Sequence, residues 1–256
     1  MGGRRGADLP VVDLYRRLLE HYGPQGWWPL VSRAGQPGFD PRGYHPGGHE
    51  VPTADAERFE MAVGAVLTQN TSFRNAEAAL LRLLTAGLLN RERMLACGER
   101  ELADAIRPSG YYNQKARKLR ILAEALGSPY GVPERGALLG LWGIGAETAD
   151  SILLYGYHVP VFVVDLYTRR LAGRLGWIGE RDPYPALQSL FAEGLPVRAR
   201  VYGECHALIV RHAKEHCRKR PSCAGCPLRG DLCAGDEAAA GGARSRDLRR
   251  GLDSRE

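Results

Sequence analysis

Residues 138–165 read LLGLWGIGAETADSILLYGYHVPVFVVD, and this stretch decides the fold prediction. It predicts a short helix, a turn built on Gly143, Ile144 and Gly145, and a second helix. Glycine frees the backbone between the two helical segments, so amides at the start of the second helix can face outward. Such a helix start suits a phosphate, because its N–H groups and the positive end of the helix dipole point the same way.

One acidic residue, Asp165, closes that stretch directly after the apolar run at 161–164. A carboxylate in such a setting is costly unless it has a partner or a chemical task. It can cap the helix predicted for the following sequence LYTRRLAG, or it can take part in chemistry. The residues alone allow both interpretations.

Composition and charge indicate a globular protein with a polyanionic partner. Of the 256 residues, 44% are hydrophobic and 25% are charged, which is close to the average for globular proteins. The formal net charge is +6, and basic residues concentrate at 115–120, 169–174 and 211–220. Such clusters are typical of nucleic-acid binders, although a solvated basic surface is the simpler alternative.

The chain shows neither a membrane segment nor a signal peptide. No apolar run approaches the roughly 20 residues that a membrane span needs. The N-terminal MGGRRGADLP has basic residues but no apolar stretch behind them. We therefore expect no membrane partner and a cytoplasmic protein of bacterial type, associated with the nucleoid.

Most of the chain has the apolar periodicity of helices, and strand signal is confined to short pieces such as 159–164. The prediction is an all-α core interrupted by a Gly/Pro-rich loop at 33–52. The tails at 1–10 and 234–256 have too few large apolar residues to bury and are predicted to be disordered.

Four cysteines cluster near the C-terminus and predict a metal or iron–sulfur site. Their spacing is x5, x2 and x6, and they are Cys217, Cys223, Cys226 and Cys233. Disulfides are disfavoured in the cytoplasm, so ligation is the stronger interpretation. A zinc site with four cysteine ligands is the alternative, because the Cys-x2-Cys pair is common there. The single short pair favours a [4Fe–4S] cluster held by four thiolates.

The hairpin, the downstream acid and the four-cysteine segment, in this order, resemble the endonuclease III superfamily of DNA glycosylases. The resemblance covers roughly residues 14–233 and includes AVLTQNTS at 65–72 and GYYNQKA at 110–116. It implies an all-α, two-lobed, monomeric protein with a substrate cleft between the lobes. One lobe would be a six-helix barrel at 53–162 with the hairpin at 138–155. The other would combine 11–52 with 163–233 and carry the cluster at 217–233.

The resemblance also implies roles for individual residues. Asp165 falls on the catalytic aspartate, whose carboxylate stabilises the developing oxocarbenium ion or activates a water. Gln69 falls where family members fill the space left by a flipped nucleotide, although it also fits a polar residue at a helix end. The other residues predicted to contact double-stranded DNA with a flipped damaged base are Asn70, Leu141, Gly143, Ile144, Gly145, Thr148, Lys115 and Arg169.

Position 147 departs from the family pattern. Bifunctional members have a lysine there that forms a Schiff base with the sugar, whereas this chain has Glu147. A carboxylate forms no imine, so the resemblance implies monofunctional, water-mediated removal of a damaged base in base-excision repair. The alternatives are a bifunctional glycosylase/AP lyase acting on other lesions through another lysine, and a non-catalytic DNA-damage-binding protein.

A narrower resemblance concerns the base that is removed. The sequences GWWP at 26–29, PSGYYNQKA and PVFVVDLYTRR resemble the branch with a small 3-methyladenine DNA glycosylase, which also lacks the lysine. It implies a pocket for an alkylated purine, because a cationic base stacks well on an indole. The predicted pocket residues are Trp27, Trp28, Phe59 and Glu147. Core packing is the alternative for the tryptophans and for Phe59, which fits an apolar helical stripe.

Overall fold

The structure is a computed structural model that describes residues 10–48, 50–127, 131–179, 181–230 and 232–233. Within these residues it is helical and contains no β-strand, which confirms the all-α prediction; the segment 159–164 forms no strand. None of the described helices has the length and apolarity to cross a bilayer. The tails predicted to be disordered, 1–10 and 234–256, lie outside the described residues except for Pro10.

Eleven α-helices are described, and the longest connection between them is the one from Tyr22 to Asp55. In chain order they are α1 (Pro10–Tyr22), α2 (Asp55–Leu67), α3 (Phe73–Thr85), α4 (Arg91–Ala96), α5 (Glu99–Ala105), α6 (Tyr112–Ala125), α7 (Arg135–Gly140), α8 (Ala146–Ser151), α9 (Leu166–Arg174), α10 (Tyr184–Gly194) and α11 (Ala199–Glu215). Helix α8 continues as a π-helical turn over Ile152–Gly156. The helix–turn–helix predicted around 138–155 is therefore present as α7, the glycine turn and α8.

The chain divides into two compact units. The described residues of the first, here called the cysteine unit, fall within Met1–Gly23, Val164–Pro196 and Cys205–Glu256. Those of the second, the hairpin unit, fall within Pro24–Val163 and Val197–Glu204. This differs from the predicted domains, because residues 24–52 belong with the hairpin unit and not with the four-cysteine segment.

Specific contacts explain why residues 24–52 belong to the hairpin unit. The ring of Trp28 lies 5.7 Å from that of Tyr155 in the π-helical turn. The guanidinium of Arg42 donates two hydrogen bonds to Glu77 of α3, at 2.9 and 2.8 Å. The amide of Ser32 donates to the buried carboxylate of Glu60 on α2. Residues 24–52 are thus attached to the hairpin unit at several points, which periodicity could not predict.

Helix α2 is the centre of the hairpin unit. All of its residues from Phe59 to Leu67 are buried, as expected for a helix packed on every side. It packs against α3, α6, α8 and the π-helical turn. Glu57 completes its N-terminus by accepting hydrogen bonds from the amides of Thr53 and Ala54. These contacts fix the position of the C-terminal end of α2, which leads into Gln69.

The cysteine unit has a core formed by α1, α9, α10 and the C-terminal part of α11. Leu14 and Leu18 of α1 are fully buried, as is Phe191 of α10. Helices α1 and α10 approach closely where Gly194 faces Val11, and a Cβ at 194 would lie 2.8 Å from that of Val11. This core supports α9, whose N-terminus carries the predicted catalytic acid.

Candidate functional site

The turn between α7 and α8 exposes backbone and buries one apolar side chain. The amide of Ile144 donates to the carbonyl of Leu141 at 3.1 Å and closes the turn. Gly143 adopts a φ of +79°, in the left-handed region that favours glycine. Ile144 is only 5% exposed, whereas both glycines of the turn are exposed. The predicted hairpin therefore presents its backbone outward while Ile144 anchors it to the core.

Both ends of the Gln69 side-chain amide form hydrogen bonds, one end with the hairpin and the other with Lys118 of α6. Its Nε2 donates to the carbonyl of Gly143 at 3.1 Å and to Oγ1 of Thr148 at 2.9 Å. Its Oε1 accepts a 2.6 Å hydrogen bond from Nζ of Lys118. The structure thus brings together three residues predicted to contact DNA, and Asn70 follows them, exposed and with a φ of 53°. Lys118 lies in the basic run at 115–120, but the sequence did not single it out.

Lys115 requires a correction, because it lies inside the hairpin unit. Its side chain is 2% exposed, and Nζ donates to the carbonyls of Leu67 and Ser109 at 2.8 and 2.7 Å. Burial and the nearby charge of Lys118 lower the pKa of Lys115 to about 8. The prediction that Lys115 contacts DNA is therefore wrong for this structure; the residue ties the end of α2 to the turn before α6.

Asp165 is the N-cap of α9, and its surroundings favour the ionised carboxylate. Its Oδ1 accepts hydrogen bonds from the amide and the hydroxyl of Thr168, at 2.7 and 2.9 Å. Its Oδ2 lies 3.6 Å from Nε2 of His206 on α11, and the side chain is 12% exposed. Burial alone raises the pKa of Asp165, but His206 and the Thr168 donors outweigh it and hold the pKa below its usual value. The capping role is therefore present, and it leaves Oδ2 uncommitted to Thr168.

Two residues around this acid depart from the sequence prediction or go beyond it. The sequence did not predict that His206 is a site residue, because nothing in it distinguishes this histidine from an ordinary polar residue of α11. It is 5% exposed. Arg169, predicted to contact DNA, is half-buried and donates from Nη1 to the carbonyl of Asp182 at 2.6 Å. The Nη1 group of Arg169 is therefore engaged within the cysteine unit.

An aromatic cluster surrounds Trp27, and its members differ from those predicted for the base pocket. The Trp27 ring lies 4.8 Å from Phe73 and 5.9 Å from Tyr44, and it is half-buried. Trp28 adjoins Trp27 at 5.4 Å but is only 6% exposed. Phe59 is 1% exposed within the α2 core, so its predicted place in a base pocket is corrected. Phe73, at the start of α3, occupies the cluster instead.

Glu147, the fourth residue predicted for the base pocket, lies on the first turn of α8 and is exposed. It follows the turn by two residues, so a carboxylate stands where the resemblance would place an amine. The absence of a lysine at this position follows from residue identity alone, so it could be read directly from the sequence.

The four predicted ligand cysteines line one cavity in the cysteine unit. Cys217, Cys223, Cys226 and Cys233 share this cavity with His212 and His216. Nη1 of Arg174 donates to Sγ of Cys217 at 3.1 Å, and Nε2 of His212 lies 3.8 Å from Sγ of Cys226. Across the part of the chain that is described, no three His, Cys, Asp or Glu side chains are arranged around a single metal ion. The four cysteines therefore share one cavity, and the described residues show no arrangement of them around a metal centre.

Comparison with known sequences places this geometry in context. A family model described as the HhH-GPD superfamily base excision DNA repair protein matches residues 63–196. The candidate DNA repair glycosylase MJ1434 of Methanocaldococcus jannaschii is 37% identical over 231 residues, covering 86% of this chain and 94% of the relative. Endonuclease III of Thermotoga maritima is 31% identical over 182 residues, covering 68% of this chain and 82% of the relative.

Solved structures with similar folds point the same way. A Helicobacter pylori 3-methyladenine DNA glycosylase bound to 1,N6-ethenoadenine has a TM-score of 0.58 and 32% identity, covering 64% of this chain and 87% of that chain. An endonuclease III in a non-covalent complex with DNA has a TM-score of 0.63 and 25% identity, covering 72% of this chain and 86% of that chain. Both likenesses extend over most of the solved chains.

Proposed function

The chain belongs to the HhH-GPD superfamily of base excision DNA repair proteins, and we propose that it is a monofunctional DNA N-glycosylase. The observation that carries the proposal is the environment of Asp165. Donors from Thr168 and the neighbouring His206 keep this carboxylate ionised although it is largely buried. An ionised carboxylate of low exposure is suited to stabilising positive charge on a sugar.

Asp165 would act while the N-glycosidic bond breaks. The base departs with the bonding electron pair, and the deoxyribose acquires oxocarbenium character that the carboxylate stabilises. Water then adds to the anomeric carbon and releases a proton, for which Oδ2, beside His206, would be the acceptor, since Oδ1 accepts from Thr168. A cationic alkylated base leaves as a neutral molecule, so its departure requires no general acid.

The exposed Glu147 supports the monofunctional assignment. A Schiff base needs an amine, and the carboxylate at this position provides none. The bifunctional alternative would therefore require another lysine, and Lys115 is excluded from that role by its burial among carbonyl groups.

An alkylated purine is the substrate class that we propose. The half-buried Trp27, with Phe73 and Tyr44 beside it, offers an electron-rich surface on which a cationic base can stack. Such stacking contributes about 0.5–2 kcal/mol and would favour a cationic base over a neutral one. The similar Helicobacter pylori enzyme is a 3-methyladenine DNA glycosylase, which supports the same class.

The macromolecular partner would be double-stranded DNA from which the damaged base is flipped, bound by a monomer in the cytoplasm. The hairpin backbone is exposed at Gly143 and Gly145, and the open space at Gly145 would allow a phosphate to approach the start of α8. The similar endonuclease III was solved with DNA, and the net charge of +6 favours the same polyanion. Gln69 would fill the space left by the flipped nucleotide.

The cofactor that we propose is a [4Fe–4S] cluster, with zinc as the alternative. Cys217, Cys223, Cys226 and Cys233 would hold it, because all four line one cavity. Its contribution would be structural, as a link that keeps the 217–233 segment folded. Arg174 would donate to the Cys217 sulfur and offset the negative charge of a thiolate-bound cluster.

The test is base release before any alkali treatment. Duplexes carrying 3-methyladenine, 7-methylguanine, hypoxanthine, uracil or thymine glycol are incubated with the protein, and the free base is measured. Asp165→Asn should reduce release by about 10³-fold or more, an order of magnitude typical for a catalytic carboxylate. Asparagine is a good N-cap, so this variant should keep its fold and melting temperature.

Two outcomes would replace the proposal with one of its alternatives. An efficient borohydride-trapped adduct with damaged DNA would establish the bifunctional reaction. Tight binding to a damaged duplex with no release of any base, from either protein, would establish a DNA-damage-binding protein.

A further inference from the structure

Lys118 is held in the hairpin unit by three contacts with the hairpin and with Gln69. It is half-buried, and burial lowers the pKa of its ammonium. Its alkyl chain covers Gly143 so closely that a Cβ at that position would overlap Cε of Lys118. Its Nζ lies 6.0 Å from the ring centroid of Trp142 and donates to Gln69 at 2.6 Å. A lysine whose stem and ammonium are both in contact is not a freely moving surface charge.

Gln69 depends on such a partner because no helix holds its side chain. Helix α2 ends at Leu67, and the next residue after Gln69, Asn70, adopts the left-handed conformation. An ammonium only donates hydrogen bonds, so Oε1 must be the atom that faces Lys118. The Nε2 group is then directed to Gly143 and Thr148, as observed. Lys118 and the carbonyl of Gly143 therefore favour the same orientation of the amide, and Lys118 holds it from the Oε1 end.

We propose that Lys118 is a positioning residue that presets Gln69 against the hairpin before DNA binds. The inference rests on the proposed function, in which Gln69 fills the space left by a flipped nucleotide. A side chain ordered on folding loses no further conformational entropy when it inserts, so the gap is filled more readily. The hairpin and Gln69 then reach the duplex as one preorganised element.

The competing explanation is that Lys118 only supplies a positive charge for a DNA phosphate. Arg117 provides the matched control, because it is the adjacent residue on α6 and stacks on the same Trp142 ring at 4.7 Å. No hydrogen bond between Arg117 and Gln69 occurs in the described structure. Loss of Arg117 removes a charge from the same surface but leaves the Gln69 contacts in place.

The experiment measures gap filling without base release. A duplex with a stable abasic analogue opposite 2-aminopurine is titrated with the full-length protein, and the fluorescence at saturation reports insertion beside the orphan base. Lys118→Met keeps an alkyl chain over Gly143 and should lower the insertion equilibrium by roughly tenfold, the size of one hydrogen bond to a charged group. Lys118→Arg should restore most of it, and Lys118→Ala repeats the test if the methionine variant does not fold.

Coupling with Gln69 distinguishes positioning from charge. Gln69→Ala should lower the insertion equilibrium further than Lys118→Met does, and adding Lys118→Met to it should cause no further reduction. Arg117→Met should weaken affinity in a salt-dependent way and leave the signal at saturation unchanged. The proposal is overturned if Lys118→Met behaves like Arg117→Met, if the two changes add, or if Gln69→Ala retains the signal. Failure of the proposed function would look different, because a protein that releases no base can still show this coupled insertion.

Discussion

The hairpin and the four-cysteine segment, which we propose to bind DNA and a cluster, are organised in different ways. At the hairpin, the polar groups of Gln69, Thr148 and Lys118 satisfy one another and the carbonyl of Gly143. In the segment 217–233, four thiols face a common cavity instead. In the first region the polar groups of the chain bond to one another, whereas the second is the region in which we propose that an added group is bound.

The contacts around the cysteines support this distinction. Arg174 donates to Sγ of Cys217 and to the carbonyls of Arg218 and Lys219, and Arg170 donates to the carbonyl of Cys217. These bonds hold the beginning of the segment to α9. Cys223 and Cys233 lie further along the segment and line the same cavity. Removal of a ligand should therefore affect the cysteine segment far more than the hairpin.

The largest effect is expected from Cys226→Ala. Loss of one of four thiolates should release the bound iron, abolish visible absorbance and lower the free energy of unfolding by several kcal/mol, because metal binding contributes directly to folding. Cys97→Ala, a change at a half-buried thiol of the hairpin unit, is the matched control and should retain iron. Equal iron content in both variants would contradict the ligand assignment. One zinc ion per chain and no iron in the purified protein would show that the site holds zinc.

The hairpin itself is tested by Gly143→Ala. The left-handed φ of +79° and the overlap of a Cβ with Lys118 should together lower the free energy of unfolding by about 2–3 kcal/mol. Gly145→Ala is the control, because Gly145 has a φ of −92° and open space around its Cα. Because Gly145 is the N-cap of α8, where alanine is less favourable than glycine, the control should cost about 1 kcal/mol or less. Similar melting temperatures for the two variants would show that the turn is less tightly organised than the structure indicates.

A pH titration of stability tests how well the hairpin unit compensates the buried ammonium of Lys115. The pKa of Lys115 falls from 10.5 to about 8 on folding, so between these values the unfolded chain binds more protons than the native one. Stability should therefore rise with pH across this window, by up to about 2 kcal/mol between about pH 8 and 9.5, and Lys115→Met should remove that rise. Urea unfolding of both proteins at several pH values measures it. Parallel profiles would mean that the two carbonyls fully offset the burial of the charge.

The smallest effect is expected from Arg174→Lys. Lysine keeps the charge but loses the planar fork that serves Cys217, Arg218 and Lys219, so about 1 kcal/mol of support for the segment should be lost. The cluster should still bind, and a chelator should remove iron a few times faster than from the unchanged protein. An unchanged rate of iron release would show that the cysteine sulfurs hold the segment without help from Arg174.

Residue identity and spacing predicted the parts of the molecule that lie close together in the chain. The hairpin follows from two glycines between apolar helical segments, and the shared cavity agrees with four cysteines in 17 residues. The capping role of Asp165 follows from an acid placed before a helical sequence, and the structure confirms it. Each of these signals is local, so no long-range packing is needed to interpret it.

Long-range contacts account for what the sequence did not reveal. Lys115 and Lys118 lie one turn apart on α6, yet one packs under α2 and the other over Gly143. Phe59 and Phe73 both fit apolar helical stripes, and only packing separates the core residue from the one beside Trp27. The loop at 33–52 has no periodicity, so its attachment to α2 and α3 was equally invisible.

Trp142 gives the protein an optical reporter at its hairpin. This indole is 47% exposed and stacked by Arg117 at 4.7 Å, whereas Trp28 is 6% exposed. An exposed indole emits at longer wavelength than a buried one, so the red edge of the emission is weighted toward the hairpin. Polyanions that draw Arg117 from the ring would change this emission without any attached dye. Contact at the hairpin could then be followed in time, independently of whatever chemistry takes place at Asp165.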